Sequence, residues 1–132
     1  METTHLCHGA TMVSDIGYGY LALSKNLAEK YIPQDILKNI PMVNRCYRFN
    51  RLDSQHIAFF FCPFLSVALI NDIYPKSSHE ENLSRVKWIN DGTIKAIKRY
   101  YPQILMDYPS ALENLQKSVD KQYLLWYNNF KN

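Results

Sequence analysis

Along the first half of the chain the apolar positions change period, and each change marks an expected element. Ile16, Tyr20, Leu23, Leu27 and Tyr31 recur at helical spacing with Pro33 as a stop, which predicts a first helix over 16–31, although Gly17 and Gly19 weaken its first turn. Ile36, Leu37, Ile40 and Val43 continue into a short second helix that Pro41 bends or ends. From 44 to 51 the period falls to two, with Tyr47 and Phe49 on one side and Cys46 and Arg48 on the other. That alternation predicts a strand, and 52–55 reads as the polar turn of a hairpin. The second arm, 56–62, is apolar on both sides, as a central strand covered on both faces would be.

In the second half, 75–82 reads as a polar loop and 86–89 as a short third strand. Thr93 is placed to cap a helix running to about Tyr101, ended by Pro102, with Ile94 and Ile97 inward and Lys95, Lys98 and Arg99 on a basic outer side. Ser110 and Glu113 have the spacing of a capping box after Pro109, and Leu112, Leu115, Val119, Gln122 and Trp126 mark the stripe of a long C-terminal helix. Helices, then a sheet hairpin, then helices make an α+β sandwich of roughly three layers, in one domain over 1–132 without repeats or linkers.

Composition narrows the class. With 132 residues, 47% of them hydrophobic and 20% charged, the chain is neither a disordered tail nor a fibre nor an array of domains. Three scattered cysteines, Cys7, Cys46 and Cys62, are odd in number, which argues against a disulfide scaffold and for a reducing compartment. The apolar run 57–70 falls short of the roughly 20 residues of a bilayer span, and 1–11 lacks the basic start of a secretory signal. A cytoplasmic location without a membrane span is therefore expected. Fifteen basic and twelve acidic residues leave +3, an excess that favours an acidic partner without demanding nucleic acid.

Few residues group into obvious chemistry. His5, Cys7 and His8 lack a fourth ligand at metal-site spacing, so no metal is expected. Gly9, Gly17, Gly19 and Gly92 form neither a P-loop nor a dinucleotide fingerprint, nor the pyrophosphate loop of acetyl-CoA-dependent acetyltransferases. The basic and aromatic run at 45–49 has the composition of a single-stranded nucleic-acid platform, but a half-buried strand with solvated arginines explains it more simply. Tyr100, Tyr101, Tyr108 and Tyr127 would suit a protein interface, although core packing also explains most aromatics.

A family likeness adds to this. Gly17-Tyr18-Gly19-Tyr20-Leu21-Ala22-Leu23-Ser24-Lys25-Asn26-Leu27-Ala28-Glu29-Lys30-Tyr31 resembles the opening G-H-x-x-W-L-W-x-S-x-x-L-H-x-x-W pattern of the toxin-activating lysine acyltransferases, the activators of RTX haemolysins. Ile40-Pro41-Met42-Val43, the strand-like 47–51, Asp53, the apolar 57–61 and Phe64-Leu65-Ser66 follow in that family's order. Lys87-Trp88-Ile89-Asn90-Asp91 resembles the family's K-W-F-I-D strand, which carries its catalytic aspartate, and 94–101 with Pro102 resembles the helix after it. The resemblance covers about 15–105 in two blocks of mostly apolar matches.

The resemblance implies a GNAT-like central, mostly antiparallel sheet covered by helices, possible dimerisation, and toxin activation by lysine acylation. In that reaction a fatty acyl group passes from acyl carrier protein to lysine side chains of a protein substrate, and no cofactor is bound directly. An amine attacks a thioester only when unprotonated, so a base near neutral pKa, oriented by a carboxylate, is required. The resemblance gives Asp91 the carboxylate role, sets Ser24 in the catalytic segment, and assigns Lys95, Lys98 and Arg99 to docking the acidic carrier protein. The family's catalytic histidine falls at Ala28, which moves no proton, and the A-P-F-G segment after the aspartate is missing. His8, His56 and His79 are the candidates for a relocated base. Without one, the alternative is a non-catalytic protein-binding module or inhibitor that keeps the acyltransferase fold.

Overall fold

In the computed structural model, which describes residues 3–7, 10–15, 18–117 and 119–129, alternation rather than helical spacing decides the N-terminal third. Leu21 and Leu23 are buried while Tyr20 and Ala22, which alternate with them, are half-buried, the period of a strand with one covered face. Three strands, β1 (Thr3–Cys7), β2 (Ala10–Asp15) and β3 (Tyr18–Ser24), form an antiparallel meander. The predicted first helix is thus corrected: only its second half is helical, as α1 (Lys25–Tyr31), and Ile16 and Gly17 lie outside the described residues. Gly19, a poor helix former, sits in β3 opposite Ser14.

After the short α2 (Gln34–Leu37), β4 (Met42–Val43) and β5 (Cys46–Phe49) close a five-stranded, wholly antiparallel sheet of order β1-β2-β3-β5-β4. Their two-residue turn, Asn44 and Arg45, has φ of 52° and 63°, the positive pair typical of a type I′ hairpin. Leu21 faces Phe49 and Leu23 faces Tyr47, and all four are buried, whereas Cys46 and Arg48 on the opposite side are half-buried. The alternation expected at 44–51 is therefore present. Cover on both faces is not: along β3 and β5 the helices bury one.

The apolar run at 56–62 is a helix rather than a strand. Continuous burial does not separate the two by period, and here Ser54 settles the backbone: its Oγ accepts from Arg51 N at 3.2 Å and donates to Arg51 O at 2.8 Å, which opens α3 (Leu52–Phe61) where a turn was expected. Pro63 then starts α4 (Phe64–Ile73), and the two helices meet at 113°. No single helix among the described residues is long and apolar enough to cross a membrane; α3 and α4 together have the length, but they are sharply bent and supply much of the core.

Ser78 and Glu81 make the capping box that Ser110 and Glu113 were expected to make: Ser78 Oγ accepts from Glu81 N at 3.1 Å and Glu81 Oε1 accepts from Ser78 N at 3.1 Å. This box starts α5 (His79–Tyr100), a 22-residue helix that absorbs the second half of the expected loop, the expected strand at 86–89 and the expected cap at Thr93. Asn82, Val86, Asn90, Thr93 and Ile97 are its buried stripe, and three polar members of that stripe hide its helical period. Pro102 and Pro109 begin α6 (Pro102–Asp107) and α7 (Pro109–Gln116) at first-turn positions that need no N–H. The expected long final helix is divided, with α8 (Val119–Asn129) resuming after α7, and Leu115, Gln122 and Trp126 still share the buried side. The chain is α+β, its core lying between one sheet face and the α3–α5 assembly with α7 and α8 against it.

Candidate functional site

The residues proposed for catalysis sit in three different settings. Ser24 ends β3 and caps α1, its Oγ accepting from Leu27 N at 3.3 Å, so helix initiation explains it. Ala28, one turn on, is wholly buried in the hydrophobic core, on a helix packed against β3, β5 and α2. Asp91 is exposed on α5, where its Oδ2 lies 3.3 Å from Lys87 Nζ, an i,i+4 ion pair. Asn90, its neighbour in sequence, faces inward instead and is hydrogen-bonded to Gln122. The segment 87–91 being helical, Trp88 and Asp91 lie one turn apart on an outer face rather than along a strand in a cleft. Ala28 and Asp91 occupy different environments, and neither lines the cavity described below.

Of the histidines considered as a relocated base, His8 lies outside the described residues, and His5 and Cys7 of the metal candidate are positions of β1. His79 is exposed at the start of α5, with its Nε2 3.7 Å from Asp120 Oδ1. His56 is half-buried on α3, and its Nδ1 lies 3.0 Å from Thr93 Oγ1. Burial holds its pKa below the ordinary histidine value, against the opposing pull of Asp53. Its ring therefore serves the α3–α5 seam.

What α5 does present is a stripe. Val86, Thr93 and Ile97 point inward, and the opposite side carries Ser84, Trp88, Gly92, Lys95 and Arg99, with Lys98 beside them. Trp88 is 78% exposed. A Cβ built on Gly92 would meet nothing within 4 Å, so the surface one turn beyond the indole is open. Lys95, Lys98 and Arg99, the expected docking residues, are all exposed on this helix, and Lys87 adds a fourth cation partly offset by Asp91. The strand expected at 86–89 hides this exposure; the signal for it was the position of Trp88 among Ser84, Gly92 and Lys95 at helical spacing.

A second feature is a cleft of about 430 Å³ beneath α2, walled by α3 and α6. On its margin Asp53 accepts from Tyr101 Oη at 2.8 Å and from Arg51 Nε and Nη2 at 3.2 and 3.3 Å. Burial would raise the Asp53 carboxyl, but the Tyr101 hydroxyl and the Arg51 guanidinium outweigh it and hold the pKa below the usual range. Burial, and then the same carboxylate, push Tyr101 up to about 12, so its hydroxyl stays a donor. Among the described residues no cluster of three histidine, cysteine or acidic side chains is arranged to hold a metal. Comparison of the chain with protein-family models, with curated proteins and with solved structures returns no match.

Proposed function

We propose that this chain is a non-catalytic binding module that docks an acidic protein on the outer stripe of α5, and that acyl carrier protein, the partner implied by the sequence resemblance, is the one to test. The observation that carries this reading is Trp88, a large apolar side chain standing in solvent within a row of cations. Aromatic residues ringed by polar groups are the anchors that dominate protein interfaces, and the cations would steer an acidic surface toward the helix. The catalytic reading, lysine acylation on a GNAT-like fold, rests on the resemblance alone. It would need a base at position 28, which is filled core, facing a carboxylate that here lies on the surface.

The test is titration of the chain with apo and acyl-loaded carrier protein, followed by tryptophan emission. Trp126 is buried, so the solvent-exposed signal belongs to Trp88 and should shift to the blue on docking. Binding should weaken with added salt as charges are screened, and Trp88→Ala should cost roughly tenfold or more in affinity. Absence of binding by either form of the carrier protein removes this partner. A mass increase on a protein lysine, produced from acyl-loaded carrier by the unaltered chain or by Ala28→His, replaces the non-catalytic reading with the enzymatic one.

A further inference from the structure

Gly92 stands in α5 at a cost that the fold does not explain. It lies well inside a 22-residue helix, where only proline is a poorer helix former. Two causes ordinarily keep a glycine in such a place, a left-handed backbone or a neighbour that leaves no room for a Cβ. Neither holds: the position is helical, and a Cβ built there would meet nothing within 4 Å. The result is a notch on the outer side of the helix. Trp88 lies one turn before it, about 6 Å along the axis. Side chains on a helix lean toward its N-terminus, so position 92 is overhung by Lys95, which is flexible, and by Ala96, which is too short to fill the space.

We propose that Gly92 sets the specificity of the docking stripe: an acidic α-helix of the partner crosses α5 there and seats one bulky aliphatic side chain in the notch beside Trp88. This rests on the docking reading above and adds what the partner must present. With no Cβ at the crossing, two helices approach to the short end of their ordinary spacing, about 8 Å between axes, and the inserted side chain finds apolar surface on the indole. The cations need no partner for stability; they set the sign of the face. Lys95, Lys98 and Arg99 are exposed and form no ion pair among the described residues, and from Ser84 to Arg99 the single acid is Asp91, which Lys87 holds at 3.3 Å. A second copy of the chain would bring these cations against their own counterparts. An anionic lipid surface would suit the charge but has no side chain to put in a notch.

The test is a double-mutant cycle on the full chain, read by tryptophan emission. The probes are a lactam-bridged, glutamate-rich helical peptide with one central leucine and the same peptide with alanine in its place. The leucine peptide should bind with a dissociation constant of about 100 μM or tighter and shift Trp88 emission to the blue, and the alanine peptide should bind roughly tenfold more weakly. Gly92→Leu should weaken the leucine peptide roughly tenfold and remove the difference between the two. Gly92→Ala should also weaken it, yet raise the melting temperature by about 3 °C, because alanine is the better helix former; a glycine kept for the fold would lose stability instead. No binding of the leucine peptide, equal affinity of the two peptides, full affinity in Gly92→Leu or a lower melting temperature in Gly92→Ala would each overturn the proposal. So would a blue shift produced by anionic phospholipid vesicles and not by the peptide. If carrier protein still docks through Trp88 in any of these cases, only the notch is wrong; loss of carrier and peptide binding together removes the docking reading as well.

Discussion

Arg45 shows how a single residue can work against the element it belongs to. It occupies the second position of the β4–β5 turn at φ 63°, where an L side chain is crowded and glycine is not. Its side chain is exposed, and its contribution to the fold is a carbonyl that accepts from Lys25 N at 2.9 Å, which any residue supplies. Arg45→Gly is therefore expected to raise stability by about 1 kcal/mol and the melting temperature by about 3 °C, measured by thermal unfolding followed by circular dichroism. A lower melting temperature would mean that the Arg45 side chain holds the hairpin through a contact outweighing its backbone strain. Ala28 and Asp91 teach the complementary lesson. Their sequence context placed them in a motif, while burial of one and solvation of the other follow from α1 facing the core and from Asp91 lying on the outer side of α5.

At the scale of elements, one side chain divides the C-terminal helix. Gln122 Nε2 donates to Leu115 O at 3.1 Å and lies 3.4 Å from Lys117 O, taking up carbonyls that end α7, while its Oε1 accepts from Asn90 Nδ2 at 3.0 Å. Asn90 Oδ1 in turn accepts from Ser66 Oγ at 3.3 Å, so one buried polar chain joins α4, α5, α7 and α8. Gln122→Leu keeps the size but strands the Asn90 amide and the Leu115 carbonyl, and should cost about 2 kcal/mol in urea unfolding. The double variant Asn90→Leu/Gln122→Leu should recover part of that loss, because fewer polar groups are then left unpaired. If Gln122→Leu alone stayed within about 0.5 kcal/mol of the parent, the range of ordinary surface substitutions, the network would not be what sets the break. The stripe from Leu112 to Trp126 was legible in sequence, and so was the alternation at Tyr47 and Phe49. The break was not, because it depends on a tertiary bond from Asn90, 32 residues away. The apolar run at 56–62 could not be read either, since burial on all sides erases the period that separates strand from helix. In α5 the polar Asn82, Asn90 and Thr93 interrupt the apolar signal of a buried stripe that keeps helical spacing from 82 to 97.

Across the whole molecule, α3 against α5 is the seam on which the other elements rest, and both of its side-chain links titrate. His56 on α3 meets Thr93 on α5, and Asp53 on α3 meets Tyr101 at the end of α5. The folded pKa of His56 is depressed, chiefly by burial, so the unfolded chain takes up the proton first. Stability from this group is present above the unfolded value of about 6.5 and is lost as pH falls through it toward the folded value. The folded pKa of Asp53 is also depressed: burial opposes ionisation, but Tyr101 and Arg51 prevail, so its contribution is present above about 4 and is lost in more acid solution. Denaturant midpoints measured across pH should therefore fall in two stages on acidification, the first near and just below pH 6.5 and the second below about pH 4. His56→Gln should flatten the first stage and leave the second, whereas Asp53→Asn should weaken the second and, by removing the charge that favours the imidazolium, deepen the first. A midpoint that stayed level from pH 7 to 5 in the parent chain would show that the imidazole does not gain solvent on unfolding, and that the α3–α5 seam is not where acid acts.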